Sequence, residues 1–121
     1  MKKTRMIKRR HEFKTLFSRG KIIYNKNLTL YYLANKLDVN QFGIAVSKKS
    51  GNAVERNRVK RLIRENYKIL EQKLSTGYNI LFSVNKKCKI EKINFYDVKK
   101  EMEYSLKNSE IWNGENEKNI N

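Results

Sequence analysis

Residues 53–74 constrain the fold more than any other part of the chain, because they read as one long helix with two chemically opposite faces. At about 100° per residue, one side is mainly apolar and consists of Val59, Leu62, Ile63, Asn66, Ile69 and Leu70. The opposite side consists of Asn57, Lys60, Arg61, Arg64 and Lys68. Such a helix packs its apolar side against the rest of a folded domain and leaves its cations exposed.

Polar residues mark both ends of this helix. Asn52 is a favourable N-cap, and Glu55 follows it three residues later, as a capping box requires. The segment 75–77, Ser-Thr-Gly, ends the helix. Lys48 and Lys49 precede the N-terminus, where free backbone N–H groups and the helix dipole favour a phosphate.

The remaining pattern predicts two further helices and four strands. The helices are predicted over residues 11–19, before Gly20, and from the cap Asn94 to Leu106. The strands are predicted at 21–24, 28–35, 40–47 and 79–84. The order α-β-β-β-α-β-α indicates a single α+β domain, residues 11–112, around a four-stranded sheet. Residues 1–10 are predicted to be a mobile basic arm and residues 113–121 a disordered tail.

Small and bulky residues alternate in the third predicted strand. Phe42, Ile44 and Val46 share one face, whereas the intervening positions hold Gly, Ala and Ser. The bulky face is expected to pack in the core. The face of small residues allows another part of the molecule, or a ligand, to approach the sheet closely.

The charge of the chain indicates a polyanionic partner. Lysine and arginine number 28 against 12 aspartates and glutamates, which gives a net charge of +16. Residues 1–75 hold 20 of these cations and only 5 acids. All 8 arginines lie either around the first helix or in the first half of the long one. Because arginine presents a rigid fork that suits phosphate, and because like charges on one helix face repel, this arrangement favours a nucleic-acid interface.

The residues that could perform chemistry are scarce. His11 is the only histidine, and Asp38 and Asp97 are the only aspartates. A two-metal nuclease site needs several carboxylates around ions about 4 Å apart. The sequence also has no phosphate-binding Walker loop, no CxxC pair and no GxSxG elbow. We therefore expect no catalytic residue and no metal ligand in this chain.

Three features predict a cytoplasmic protein without a membrane partner. No apolar run approaches the roughly 20 residues that span a bilayer. The basic start is followed almost at once by residues 8–10, Lys-Arg-Arg, which leaves no room for an apolar signal segment. Cys88 stands alone, so an intrachain disulfide is impossible.

Aromatic residues near the basic arm suggest a second contact with nucleic acid. Phe13 and Phe17 lie one turn apart on the first helix, and Tyr31 and Tyr32 face opposite sides of the second strand. The pattern is equally consistent with two roles for these phenylalanines, packing in the core and stacking on bases. Aromatic faces framed by cations suit unstacked bases, and a groove beside a sheet would admit a single strand rather than a duplex.

The segment from Val46 to Glu65, VSKKSGNAVERNRVKRLIRE, closely resembles the bacterial ribonuclease P protein component. Its core, Arg56-Asn57-Arg58-x-Lys60-Arg61, is similar to the arginine–asparagine–arginine signature of that family. The length, the basic composition, the Phe13 and Phe17 pair and the order of elements agree with the family. The resemblance covers residues 5–108.

The resemblance implies a protein subunit that assists a catalytic RNA. In the family, the RNA with Mg²⁺ hydrolyses precursor tRNA and leaves the mature 5′ end, so the chain alone is expected to be non-catalytic and the Mg²⁺ to be held mainly by the RNA. The positions implied to bind the catalytic RNA are Lys49, Asn52, Arg56, Asn57, Arg58, Lys60, Arg61 and Arg64, and we expect Lys68, on the basic side of the same helix, to bind it as well. Those implied to form the cleft for the 5′ leader are Phe13, Phe17, Tyr31 and Lys48, and we expect Lys87 to belong to the same cleft. The family also implies a left-handed β-α-β crossover, against the general rule.

Two positions depart from the family pattern. Family members often have arginine at the end of the fourth strand, where this chain has Asn85, so Lys86 or Lys87 is expected to supply that charge. Many members have a polar cap before the first helix, where this chain has Arg10.

Three other functions are compatible with part of the sequence pattern. A ribosomal or other structural RNA-binding protein would have the charge and the basic helix but no leader cleft. A DNA-binding module is disfavoured because the basic helix belongs to an α+β domain without a helix-turn-helix partner. A self-sufficient nuclease is disfavoured by the scarcity of histidine and aspartate.

Overall fold

The computed structural model describes residues 4–114 and contains three helices and a five-stranded sheet. The helices are α1 (Arg10–Arg19), α2 (Ala53–Leu70) and α3 (Phe95–Lys107). The strands are β1 (Thr4–Met6), β2 (Lys21–Tyr24), β3 (Leu28–Ala34), β4 (Asn40–Ala45) and β5 (Tyr78–Val84). Single 3₁₀ turns occur at Lys48–Ser50 and Glu71–Lys73. The predicted α+β class is confirmed, and the predicted order of elements is confirmed from α1 onward. The predicted tail lies outside the described residues from position 115 onward.

The sheet has the order β1-β4-β5-β3-β2. β2, β3 and β5 are antiparallel neighbours, whereas β4 pairs in parallel with both β1 and β5. The parallel pair β4 and β5 is joined through α2, so the predicted β-α-β unit is present. The left-handedness of that crossover stays a prediction.

The prediction of four strands is wrong by one, because the basic arm contains β1. Thr4 lies opposite Asn40, and the N–H of Ile7 donates to the carbonyl of Phe42 at 2.8 Å. The Thr4 hydroxyl also hydrogen-bonds the Tyr67 hydroxyl at 2.9 Å. Burial raises the pKa of Tyr67 to about 12, so this hydroxyl stays protonated and available to β1 at neutral pH.

The two faces of the sheet carry unequal layers. Leu28, Leu30 and Tyr32 of β3 face α2 and α3 in the larger core, in which Val98, Met102 and Leu106 of α3 are also buried. The other face is covered by α1, whose Leu16 is fully buried with Ile7 and Leu81. The first face is therefore closed by two helices, whereas the second is covered by one short helix.

α2 buries the side that its sequence predicts, with one exchange. Val59, Leu62, Ile63, Asn66 and Leu70 are buried. Ile69, however, is 52 % exposed, and Tyr67 takes its place in the core, where its ring stacks on Phe42 at a centroid distance of 4.0 Å. The regular helix also ends at Leu70, before the 3₁₀ turn, rather than at residue 74.

α1 begins one residue earlier than predicted and ends at Gly20 as expected. The N–H of Gly20 donates to the carbonyl of Leu16 at 3.0 Å. Gly20 has extended backbone angles, so it is not a left-handed cap. A Cβ atom there would lie 2.6 Å from the Leu16 carbonyl oxygen, so the close approach of the backbone requires glycine.

Candidate nucleic-acid interface

The start of α2 is fixed by a complete capping box. The side-chain oxygen of Asn52 accepts from the N–H of Glu55 at 2.8 Å, and a carboxylate oxygen of Glu55 accepts from the N–H of Asn52 at 3.0 Å. Because these bonds hold the first turn, the cations that follow are presented from a rigid helix. Asn52 is predicted to contact RNA, but its side-chain oxygen already accepts a hydrogen bond from the helix N-terminus.

The basic stripe is the outer side of α2, formed by Asn57, Lys60, Arg61, Arg64 and Lys68. Asn57, Arg61 and Lys68 are exposed, and Lys60 and Arg64 are half-buried. The acid nearest in sequence is Glu65, whose carboxylate lies 3.8 Å from Arg61 in an exposed pair that contributes little. The structure thus brings together the five predicted stripe residues on one accessible surface.

Arg56 and Arg58 lie on the two flanks of the basic stripe and bind backbone carbonyls. Arg56 donates to the carbonyls of Lys48 and Gly51, in the segment that precedes α2. Arg58 donates to the carbonyls of Ile90 and Ile93, in the loop between β5 and α3. The resemblance to the ribonuclease P protein component predicts an RNA contact for both arginines. The structure shows that each also ties a neighbouring segment to α2.

Replacing Arg58 by alanine is expected to lower the free energy of unfolding by about 1.5 kcal/mol, because the carbonyls of Ile90 and Ile93 lose a charged donor. Thermal unfolding should show a melting temperature lower by about 5 °C. Arg61→Ala is the matched control, since its guanidinium is exposed. Equal melting temperatures for the two variants would contradict the anchoring role of Arg58.

The aromatic groove is a depression of about 440 Å³ between α1 and the uncovered part of the sheet. Its lining consists of Phe13, Phe17, Ile44, Ala45, Val46, Ser47, Lys60, Ser83, Val84 and Lys86. The strand residues in this lining are both small, Ala45 and Ser83, and bulky, Ile44 and Val84. An apolar surface between aromatic rings and lysines can admit an unpaired base and its phosphate.

The aromatic side chains of this groove are held in defined positions. Phe17 is 44 % exposed and packs edge-on against Tyr31, with ring centroids 4.9 Å apart. Phe13 lies over Gly43, where an added Cβ would be only 3.0 Å from its ring. Phe13 therefore contributes to packing as well as to the groove wall, whereas Phe17 presents a large free surface.

The lysines predicted for the leader cleft are placed differently from one another. Lys86 lines the aromatic groove, whereas Lys87 lies in a separate groove on the α3 side. Lys48 is exposed in the 3₁₀ turn before α2, next to the exposed Lys49. Lys60 belongs to both the basic stripe and the aromatic groove. The place of Lys60 in the aromatic groove was not predicted, because the periodicity of a helix does not show which of its residues lie beside the sheet.

Asn85 lies at the position where family members were expected to have arginine. Its side chain forms hydrogen bonds within the protein. Its amide NH₂ donates to the carbonyls of Asn25 and Lys26, at 2.8 and 3.1 Å. Its side-chain oxygen accepts from the Thr29 hydroxyl at 2.6 Å. Asn85 thus ties the end of β5 to the turn between β2 and β3.

Metal-ligating side chains and Cys88 are the groups of the described residues that could take part in chemistry. Within residues 4–114, no three side chains of the types His, Cys, Asp or Glu converge as metal ligands would. Cys88 is buried, and burial raises the pKa of its thiol, which keeps the sulfur protonated. No helix in the same range has the length and apolarity needed to cross a membrane.

Comparison with known proteins identifies the family. A family model described as Ribonuclease P matches residues 1–110. The ribonuclease P protein component of Caldanaerobacter subterraneus is 39% identical over 106 residues, which cover 88% of this chain and 90% of the relative. That of Clostridioides difficile is 37% identical over 110 residues, which cover 90% and 95%.

Solved structures agree with this result. The ribonuclease P protein of Staphylococcus aureus superposes with a TM-score of 0.79 at 30% identity, covering 89% of this chain and 97% of that one. The protein from Thermotoga maritima gives a TM-score of 0.78 at 28% identity, covering 87% and 97%. Sequence and fold therefore lead to one conclusion: this chain belongs to the family of ribonuclease P protein components, the protein part of a ribonucleoprotein endoribonuclease.

Proposed function

We propose that this chain binds the catalytic RNA of ribonuclease P through the basic stripe and the 5′ leader of precursor tRNA through the aromatic groove. The observation that carries the proposal is the position of Lys60, which lies on both surfaces. Because Lys60 lies between the basic stripe and the aromatic groove, RNA strands bound to these two surfaces would meet at this edge of the protein. The family membership supports a role in maturation of the tRNA 5′ end.

The contribution of the chain is positioning. Two RNAs repel each other, and the cations of α2 reduce that repulsion where the strands meet. Phe17 offers a face on which a leader base can stack, and Lys60 and Lys86 can bind the phosphates beside it. A leader held in this way places the scissile bond at the catalytic RNA and reduces the entropy that the reaction step must lose.

The chemistry is assigned to the RNA partner and its Mg²⁺. Bound Mg²⁺ activates water and stabilises charge on the leaving oxygen in phosphodiester hydrolysis. The donor set of residues 4–114, with no converging ligand triad, favours Mg²⁺ held mainly by RNA. The protein alone is accordingly proposed to be non-catalytic, and the complex to act in the cytoplasm, where precursor tRNA is present.

Reconstitution tests the proposal directly. The purified chain, a bacterial ribonuclease P RNA and precursor tRNA are combined with Mg²⁺, and each component is omitted in turn. We expect correct removal of the leader by the complete mixture, a slower reaction without the protein, and no cleavage without the RNA. Cleavage at the mature 5′ end by the protein alone would overturn the division of labour.

Co-purification from cells separates this function from that of a structural RNA-binding protein. We expect the chain to recover one RNA of the size of the ribonuclease P RNA. Recovery of ribosomal subunits instead would favour the ribosomal alternative, which shares the charge and the basic stripe.

A further inference from the structure

A second cationic depression lies on the α3 side of the sheet. We name it the lysine groove, a space of about 490 Å³ lined by Lys26, Asn27, Lys87, Lys89, Lys92, Ile93 and Asp97. It lies between the turn that joins β2 to β3 and the loop that joins β5 to α3. Neither the basic stripe nor the aromatic groove includes any of these residues.

The loop that carries three of the lysines is fixed to the core. Cys88, Ile90 and Ile93 alternate with the lysines in sequence and are 8%, 0% and 3% exposed. Arg58 of α2 also holds the loop, because it donates to the carbonyls of Ile90 and Ile93. Because the apolar residues point inward, the lysine side chains are directed outward from a rigid support.

The opposite wall is tied to the same support. Asn85 donates to the carbonyl of Lys26, and the carboxylate of Glu101 accepts from the N–H groups of Asn27 and Leu28 at 2.9 and 2.8 Å. Lys26 is therefore held at a set position relative to the loop, and the two walls form a preorganised groove.

The lysines of this groove outnumber the acids that line it. Lys26, Lys87, Lys89 and Lys92 are all exposed, and none forms an ion pair among the described residues. Asp97 lines the groove, but its carboxylate accepts from the N–H of Asn94 in the capping box of α3. Glu91 lies within the loop, and Glu101 lies behind the opposite wall at the N–H groups of Asn27 and Leu28. Among the lining residues, four lysines face one carboxylate, so the groove surface keeps a net positive charge.

The lysine groove adjoins the aromatic groove at the end of β5. Lys86 lines the aromatic groove and Lys87 the lysine groove, although their Cα atoms are only about 3.8 Å apart. Both lysines lie in the turn that follows β5, in which the N–H of Cys88 donates to the carbonyl of Asn85 at 3.0 Å. Because one lysine of this turn lines each groove, the two grooves meet at the turn, and a strand that leaves the aromatic groove past Lys86 reaches the lysine groove there.

We propose that the lysine groove is a second site for single-stranded RNA, which binds the phosphates of the leader beyond the part held in the aromatic groove. This inference rests on the proposed function. The lining contains four lysines and no aromatic side chain, so it favours phosphate contacts over base stacking. Binding there is expected to be independent of base sequence and strongly dependent on salt.

The test uses precursor tRNAs whose leaders range from about 4 to about 16 nucleotides, the span of site sizes known for single-strand grooves. Affinity of the holoenzyme is measured for each length with the wild type and with Lys87→Gln/Lys89→Gln. We expect wild-type affinity to rise with leader length, and the double variant to lose about fivefold or more for long leaders only. The salt slope for long leaders should fall by about 1.4, or 0.7 per contact removed.

Lys99→Gln/Lys100→Gln is the matched control, because it removes two lysines of α3 that line a different surface. It should bind all leader lengths as the wild type does. An equal loss for mature tRNA and for every leader length would assign the lysine groove to the catalytic RNA and overturn the inference. Unchanged affinity for long leaders would overturn it as well.

These outcomes are distinguishable from failure of the proposed function. If wild-type holoenzyme binds mature tRNA and leader-bearing precursors equally, the proposed leader role of the protein is wrong. If short leaders raise the affinity but longer ones add nothing, the aromatic groove stands as a leader site and the lysine groove does not.

Discussion

Replacing Arg61 and Arg64 together by alanine is expected to weaken binding of the catalytic RNA by about a hundredfold. Each guanidinium is proposed to make a charge-assisted hydrogen bond to phosphate, which contributes about 1.5 kcal/mol, and two such losses correspond to about two powers of ten. The slope of log affinity against log salt should fall by about 1.8, since each duplex phosphate contact contributes about 0.9. A binding titration at several salt concentrations measures both quantities.

The double variant should fold normally, because Arg61 is exposed and Arg64 is half-buried on the outer side of α2. Lys99→Ala/Lys100→Ala removes the same charge from α3 and should leave the salt slope close to that of the wild type. Arg61→Lys/Arg64→Lys should retain most of the slope while losing part of the affinity, because lysine lacks the bidentate fork. A normal slope for the alanine variant would rule out the basic stripe as the RNA contact.

Phe17→Ala is expected to reduce the preference of the holoenzyme for leader-bearing precursor over mature tRNA by about tenfold or more. Loss of one base stacked on an aromatic ring costs about 1–3 kcal/mol. Phe17 is 44 % exposed, so the cost to folding should be smaller than for a core aromatic. The measurement compares dissociation constants for precursor and mature tRNA with one preparation of holoenzyme.

Two variants make the Phe17 result specific. Phe17→Leu keeps apolar bulk against Tyr31 but removes the aromatic face, so it should lose much of the preference. Tyr104→Ala removes another exposed aromatic, 55% exposed on α3, and should have no effect on it. If Phe17→Ala binds both RNAs as tightly as the wild type does, the aromatic groove is not the leader site.

The sequence predicted well those features that depend on neighbours along the chain. The caps at Asn52 and Asn94 form as their spacing indicates, because a capping box needs only residues three apart. The small positions of β4 also lie beneath α1, as the period of two predicts, with Phe13 directly over Gly43. The local patterns of helix and strand are sufficient for these features.

Features that depend on distant contacts were not predictable in the same way. The strand β1 has only three residues, and its register depends on β4 and on the Tyr67 hydroxyl, 63 positions away from Thr4. The strand was not predicted, because the many lysines and arginines of residues 1–10 are typical of a mobile arm rather than of a strand. Similarly, the choice between Lys86 and Lys87 depends on the turn after β5, which places Lys86 in the aromatic groove and Lys87 in the lysine groove. The contacts of Arg58 depend on a loop more than 30 residues later.

The position of β1 also has a consequence for handling the protein. Without it, β4 would be an edge strand with free backbone groups, which are prone to pair with another chain and aggregate. A three-residue strand with Arg5 at its centre covers that edge and is too short and too charged to invite a further strand. Shortening the amino terminus past Met6 should therefore reduce solubility, even though it leaves the basic stripe, the aromatic groove and the lysine groove intact.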